Sequence, residues 1–244
     1  MVGGHRGVAL TLDYDIAGSG RPIVLLHGAL SHRRVFGYQL LGLSRTHRVI
    51  APDLPGFGRS PWDPHRPWLT QAVDDVRTLL EQLEAQAPVV VGWSLGGFVA
   101  RELADATGSG TLVLVGVSAS AIPESVRASM EKRMLADFPR FARGMIRTFT
   151  SSGVSADTEE WLYGMALATG LDVHVAALVR TAAVMRLPVP DGTRVLVGAH
   201  DQVVPATANS FDNVQTHVFE SSGHCPFIEQ PHQFNEVLAE IATW

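Results

Sequence analysis

An α/β fold, a mostly parallel central sheet flanked by helices with a helical cap inserted, is predicted for this 244-residue chain by three observations. Short apolar runs rich in Val, Ile and Leu recur between longer helical patterns. The later runs are continuous rather than alternating, which is the pattern of strands buried on both faces. Between about 120 and 190 the rhythm breaks into amphipathic helices with no strand among them. Residues 1–119 and 191–244 are therefore expected to form one core, and 120–190 a cap inserted within that single domain. A composition of 46% hydrophobic and 18% charged residues supports one globular unit with an ample core.

In chain order, strands are expected at 7–15, 22–26, 48–51, 88–91, 111–115, 194–197 and 216–219. The clearest helix follows Thr70 as its N-cap and carries Val73, Val76, Leu80 and Leu83 on one stripe. A second helix spans 98–107. Leu187-Pro188-Val189-Pro190-Asp191-Gly192 has the turn chemistry for the return from cap to sheet.

Nineteen basic against 24 acidic residues leave a net charge of −5, which argues against nucleic-acid or membrane-surface binding through bulk charge. The one cysteine, Cys225, excludes an internal disulfide and any multi-cysteine metal site, and it fits a reducing, cytoplasmic location. No run approaches the roughly 18 apolar residues of a membrane span, and the first residues carry no signal-peptide core.

The strongest chemical signal is Val89-Val90-Val91-Gly92-Trp93-Ser94-Leu95-Gly96-Gly97, a Gly-x-Ser-x-Gly turn joining a strand to a helix. Such an elbow forces its serine into a strained conformation and presents the hydroxyl at the edge of the sheet, while small neighbours let strand and helix close up. A serine oxygen is a weak nucleophile at neutral pH and needs a base plus a group that orients the base. Downstream, Asp201 and His224 each follow a strand, in the chain order Ser, acid, His that accompanies this elbow. Asp53 is the rival acid, and His200 and His217 are rivals for the base. The upstream strand ends in His27-Gly28-Ala29-Leu30, where the Ala29 amide can join that of Leu95 as an oxyanion hole. His27 itself is expected to bond loops rather than move protons.

Asp53-Leu54-Pro55-Gly56-Phe57-Gly58-Arg59-Ser60 lacks the Gly-Lys-Ser/Thr ending of a phosphate loop and is expected to border the site. No metal-ligand spacing appears, and no cofactor is expected. Cys225 is expected to be a small buried filler rather than a nucleophile.

At these residues the chain resembles the α/β-hydrolase fold family. The strings Asp53 to Ser60, Gly92-Trp93-Ser94-Leu95-Gly96-Gly97 and His224-Cys225-Pro226-Phe227-Ile228 look like those of the pimeloyl-acyl-carrier-protein methyl ester esterases of biotin synthesis. The resemblance implies Ser94 as nucleophile, Asp201 as orienting acid, His224 as base and the amides of Ala29 and Leu95 as the hole. It departs where those esterases carry a bulky aromatic after His-Gly and this chain has Ala29.

The expected function is hydrolysis of an acyl-chain or small apolar carboxylic ester through an acyl-enzyme. Trp93, Leu30, Met134, Phe138 and Phe149 are candidate pocket residues. Arg140, Arg143 and Arg147 share a helical face, and 124–150 holds six basic against three acidic residues, a surface able to steer an acyl carrier protein. Two alternatives remain on the same scaffold. One is a non-hydrolytic lyase, cyclase or cofactor-free haloperoxidase reaction, and the other a small-molecule receptor with a vestigial triad.

Overall fold

The computed structural model describes residues 12–107, 110–120, 122–151, 154–181, 189–205 and 211–243. Its centre is a seven-stranded sheet: β1 (Tyr14–Ala17), β2 (Pro22–Leu26), β3 (Arg48–Pro52), β4 (Val89–Trp93), β5 (Thr111–Val115), β6 (Arg194–Gly198) and β7 (Gln215–Phe219), in the order β1-β3-β2-β4-β5-β6-β7. Only β1 runs antiparallel, against β3. Strands β2 to β6 are almost wholly buried, which is why their sequences read as unbroken apolar runs. Flanking helices are α1 (Gly37–Leu43), α2 (Trp68–Gln82), α3 (Leu95–Thr107), α8 (Pro226–Glu229) and α9 (Pro231–Ala242).

From β5 to β6 the chain is helical where described: α4 (Glu124–Ala136), α5 (Phe138–Phe149), α6 (Ala156–Leu167) and α7 (Leu171–His174), the last running into a π-helical turn over Val175–Arg180. Asp137 and Ser155 cap α5 and α6 by accepting from the backbone N–H groups of Arg140 and Thr158. No single helix among the described residues is long and apolar enough to cross a membrane.

One sequence expectation needs correcting. α2 begins at Trp68 after Pro67, so Thr70 lies within the first turn rather than capping it; the Pro67 ring pre-sets the helical entry, and Trp68 is drawn in by burial against Phe57. The buried stripe runs through Trp68, Ala72, Val76, Leu79 and Leu80, with Val73 and Leu83 at its margin. Of the strand expected at 7–15, the described residues show β1 at Tyr14–Ala17, paired with β3 from Tyr14 opposite Pro52 to Ala17 opposite Val49. Residues 7–11 lie outside the described residues, as do Leu187 and Pro188 of the return segment.

The chain leaves β2 toward β3 on one side and comes back to β4 on the other. That reversal opens a crevice beyond the carboxyl ends of β2 and β4, the place where open α/β sheets gather their sites.

Candidate active site

Two of the five described non-glycine residues with positive φ face this crevice: Ser94 at +49° just after β4, and Leu30 at +59° just after β2. A left-handed backbone at a side-chain-bearing residue costs on the order of 1–3 kcal/mol and persists only where surroundings impose it. At Ser94 they do. Its N–H donates to the Val115 carbonyl (2.9 Å) and its carbonyl accepts from Gly97 N–H (2.9 Å). Strand, turn and α3 are pressed so close that a Cβ on Gly92 would fall 2.4 Å from the Gly96 oxygen, and one on Gly96 2.2 Å from the Leu26 oxygen.

Asp201 and His224 come together although 23 residues separate them. β6 and β7 run in parallel register to Gly198 opposite Phe219. The loops beyond stay tied, Ala199 N–H to Phe219 O and His200 N–H to Ser222 O. One Asp201 oxygen accepts from the Val203 and Val204 amides (2.8 Å each), and the other lies 2.8 Å from His224 Nδ1. Both side chains are buried. A carboxylate partner places the proton on Nδ1 and leaves Nε2 with its lone pair. Nε2 is buried and without a hydrogen-bond partner among the described residues.

Gly116, which sequence reasoning missed, links this pair to the elbow. It follows Val115, the acceptor for Ser94 N–H, and has φ +57°. A Cβ there would fall 2.8 Å from the His224 ring and 3.3 Å from Asp201 Oδ2. The end of β5 thus lies between Ser94 and the His–Asp pair, at a position where only glycine fits. The single signal in the sequence was a glycine directly after an apolar strand.

The rival acid is occupied elsewhere. Asp53 accepts from the backbone and guanidinium of Arg33 and from Arg59 N–H, inside a cluster in which Arg33 also meets Asp13 and Asp15. Desolvation works against the Arg33 guanidinium, but Asp53, Asp15 and Asp13 together raise its pKa. His200 is exposed. His217 lies within β7, its ring against Phe219.

His27 bonds loops. Its Nε2 accepts from Leu54 N–H, so Nδ1 carries the proton and donates to the Gly28 carbonyl, both at 2.9 Å. Burial lowers its pKa to about 4. Cys225 is fully buried; burial first, then the nearby Glu229 and Asp201, push its thiol pKa up, so it stays protonated and unreactive.

Of the candidate pocket residues, Leu30, Trp93, Met134 and Phe149 are buried and Phe138 is half-buried. Phe149 and Trp93 pack against the His224 ring at 5.4 and 5.5 Å between centroids. Phe138 packs tilted against the His174 ring, 4.8 Å between centroids. On the outer face of α4 and α5, Arg133, Asp137, Arg140, Phe141, Arg143 and Arg147 line an open groove of about 580 Å³. Arg143 pairs with Glu160 and lies over the Tyr163 ring, whereas Arg140 and Arg147 are exposed and pair with no carboxylate among the described residues. No group of three or more metal-ligating side chains occurs among the described residues.

Comparison with known proteins agrees with this architecture. The AB hydrolase superfamily protein YisY of Bacillus subtilis is 27% identical, with 96% of each chain covered. A pimeloyl-[acyl-carrier protein] methyl ester esterase of Sodalis glossinidius is 28% identical over 96% of this chain and 98% of its own. A thermophilic esterase from Thermogutta terrifontis superposes with a TM-score of 0.81 at 27% identity, covering 94% of this chain and 92% of its own. The model of the alpha/beta hydrolase family matches residues 23–237, from β2 into α9 and so across six of the seven strands, and to that family this chain belongs.

Proposed function

We propose that the protein is a serine hydrolase acting on carboxylic esters. The observation that carries this reading is the buried 2.8 Å contact of His224 Nδ1 with Asp201, which leaves Nε2 unpartnered on a loop that Trp93 and the end of β5 tie to the strained elbow of Ser94. In this reading Nε2 takes the hydroxyl proton as Ser94 Oγ attacks the ester carbonyl. Asp201 holds the ring and offsets the positive charge that develops on it. The Leu95 and Ala29 amides receive the oxyanion, Leu95 at the positive end of α3. The tetrahedral intermediate collapses to an acyl-enzyme as His224 returns the proton to the leaving alcohol. Water, activated by the same nitrogen, then releases the acid.

The helical insert, in this proposal, is a cap over the crevice, with Leu30, Trp93, Met134, Phe138 and Phe149 around an acyl pocket. The esterase relatives favour an ester substrate, and the arginine groove favours an anionic carrier bearing it. Arg140 and Arg147 are the steering charges, and Arg143, already paired, contributes less. The buried Cys225 fits a cytoplasmic setting.

A fluorophosphonate probe tests the assignment: covalent labelling at Ser94, together with loss of p-nitrophenyl ester turnover in Ser94→Ala, is expected. Rapid product formation by unlabelled protein, or undiminished turnover in the alanine variant, would reject it.

A further inference from the structure

The loop carrying His224 is gripped from outside by the chain just after α5, in the middle of the helical insert. Helix α5 stops at Phe149, and the chain then crosses directly over Gly223. A Cβ on Gly223 would fall 2.8 Å from Ser151 N and 3.0 Å from the Thr150 carbonyl carbon. Two side chains join the segments: the Ser151 hydroxyl reaches the Ser221 carbonyl (3.1 Å), and Glu229 bridges them through both of its carboxylate oxygens. Glu229, at the end of α8, accepts from Gly223 N–H through one carboxylate oxygen (2.7 Å). Its other oxygen accepts from both the N–H and the hydroxyl of Ser151 (2.6 Å each). The neighbouring Gln230 also holds this loop, accepting from Ser221 N–H and the Ser222 hydroxyl, but among the described residues those bonds do not reach the insert.

We infer that Glu229 is a positioning residue, a staple that fixes the segment after α5, within the insert, to the histidine loop and so holds the His224 imidazole in its working place only while the insert is docked. The inference rests on the reading of Ser94, His224 and Asp201 as the reactive relay. Short, charge-assisted bonds to backbone donors are directional and strong, so a carboxylate spanning two segments fixes their spacing. A neutral amide of the same size fails at this task, because its NH2 group must face either the Gly223 or the Ser151 N–H, donor against donor. The Gly223 arm acts one residue from the base, and the Ser151 arm two residues from Phe149, which touches the base's ring.

The test is turnover of a p-nitrophenyl ester per fluorophosphonate-titrated Ser94, in wild type, Glu229→Gln, Glu229→Asp, Ser151→Ala and the Glu229→Gln/Ser151→Ala double variant. Since displacement of a reacting group by about 1 Å costs about a hundredfold, Glu229→Gln is expected to lower kcat per titrated site about tenfold or more, with far-ultraviolet circular dichroism unchanged. Glu229→Asp should recover part of that loss. Ser151→Ala removes the hydroxyl's contacts with Glu229 and Ser221 but keeps the N–H bond; it should cost about two- to threefold alone and less than that once Glu229 is already Gln, because part of its effect runs through the same carboxylate. A Glu229→Gln enzyme of lowered Tm whose kcat per titrated site stays within about twofold of wild type would mark a merely structural role and overturn the inference. If that variant does not fold, an unchanged kcat in Ser151→Ala overturns it as well. Wild-type protein that takes no probe at Ser94 is a separate result, which removes the relay and this inference with it.

Discussion

The indole Nε1–H of Trp93 donates to the backbone carbonyl of His224 at 2.9 Å, across 131 residues of sequence. Trp93 immediately precedes the elbow serine, so this bond ties the nucleophile's strand to the histidine loop. The same indole packs edge-on against Phe149 and Phe227, and the backbone of Gly28 lies so close that a Cβ there would fall 2.7 Å from the ring. One buried side chain thus braces the β2, β4 and histidine loops together. In Trp93→Phe the ring contacts survive in part and the donor is lost, leaving a buried carbonyl unpaired at a cost of about 1–3 kcal/mol. Urea unfolding should register that loss, and kcat for a p-nitrophenyl ester should fall with it.

Ser94→Gly and Ser94→Ala should both abolish turnover but differ in stability. Glycine adopts φ near +49° without the Cβ penalty, so Ser94→Gly is expected to be more stable than Ser94→Ala by about 1 kcal/mol. Equal denaturation midpoints for the two would show that the elbow stores no backbone strain.

Gly116→Ala places a methyl 2.8 Å from the His224 ring at a backbone φ of +57°. The fold has little reason to collapse, since the close contacts are with the side chains of two loop residues, His224 and Asp201, and not with backbone. The imidazole, however, must move, and kcat/KM is expected to drop about a hundredfold. A crystal structure of the variant should show the ring displaced from Asp201.

Acid should weaken the fold through two buried histidines. Burial lowers the pKa of both His27 and His174 to about 4, against about 6.5 when unfolded. The unfolded chain therefore binds more protons between those values. This part of the stability is fully present above about pH 6.5 and is lost as pH falls toward 4, on the order of 2–3 kcal/mol for each imidazole. His174→Gln should unfold less steeply with acid than wild type when urea midpoints are compared at pH 7 and pH 4.5. Parallel pH curves would count against a buried neutral His174.

The charged groove predicts a substrate-dependent defect. Charge reversal at Arg140 and Arg147 should raise KM for a carrier-linked methyl ester about tenfold while leaving kcat/KM for a free small ester within about twofold. High salt should mimic the variant on the carrier-linked substrate alone. Equal effects on both substrates would detach the groove from carrier recognition.

Glycines and apolar runs made much of this legible in the sequence. Six of the seven strands begin within a residue of the positions read from their Val, Ile and Leu content, because burial on both faces admits little else. Gly92, Ser94 and Gly96 reveal the elbow, since the close approach of strand and helix has few chemical solutions. What local chemistry left open was decided by pairing and packing between distant segments. The start of α2 depends on Pro67 and the burial of Trp68. Asp201 and Asp53 looked alike in sequence, each just past a strand; only the fold puts Arg33 beside one and His224 beside the other. The parts played by Gly116, Trp93 and Glu229 were hidden for the same reason. Each acts on a residue brought near by the tertiary structure, and neither periodicity nor spacing along one chain records which loops will meet.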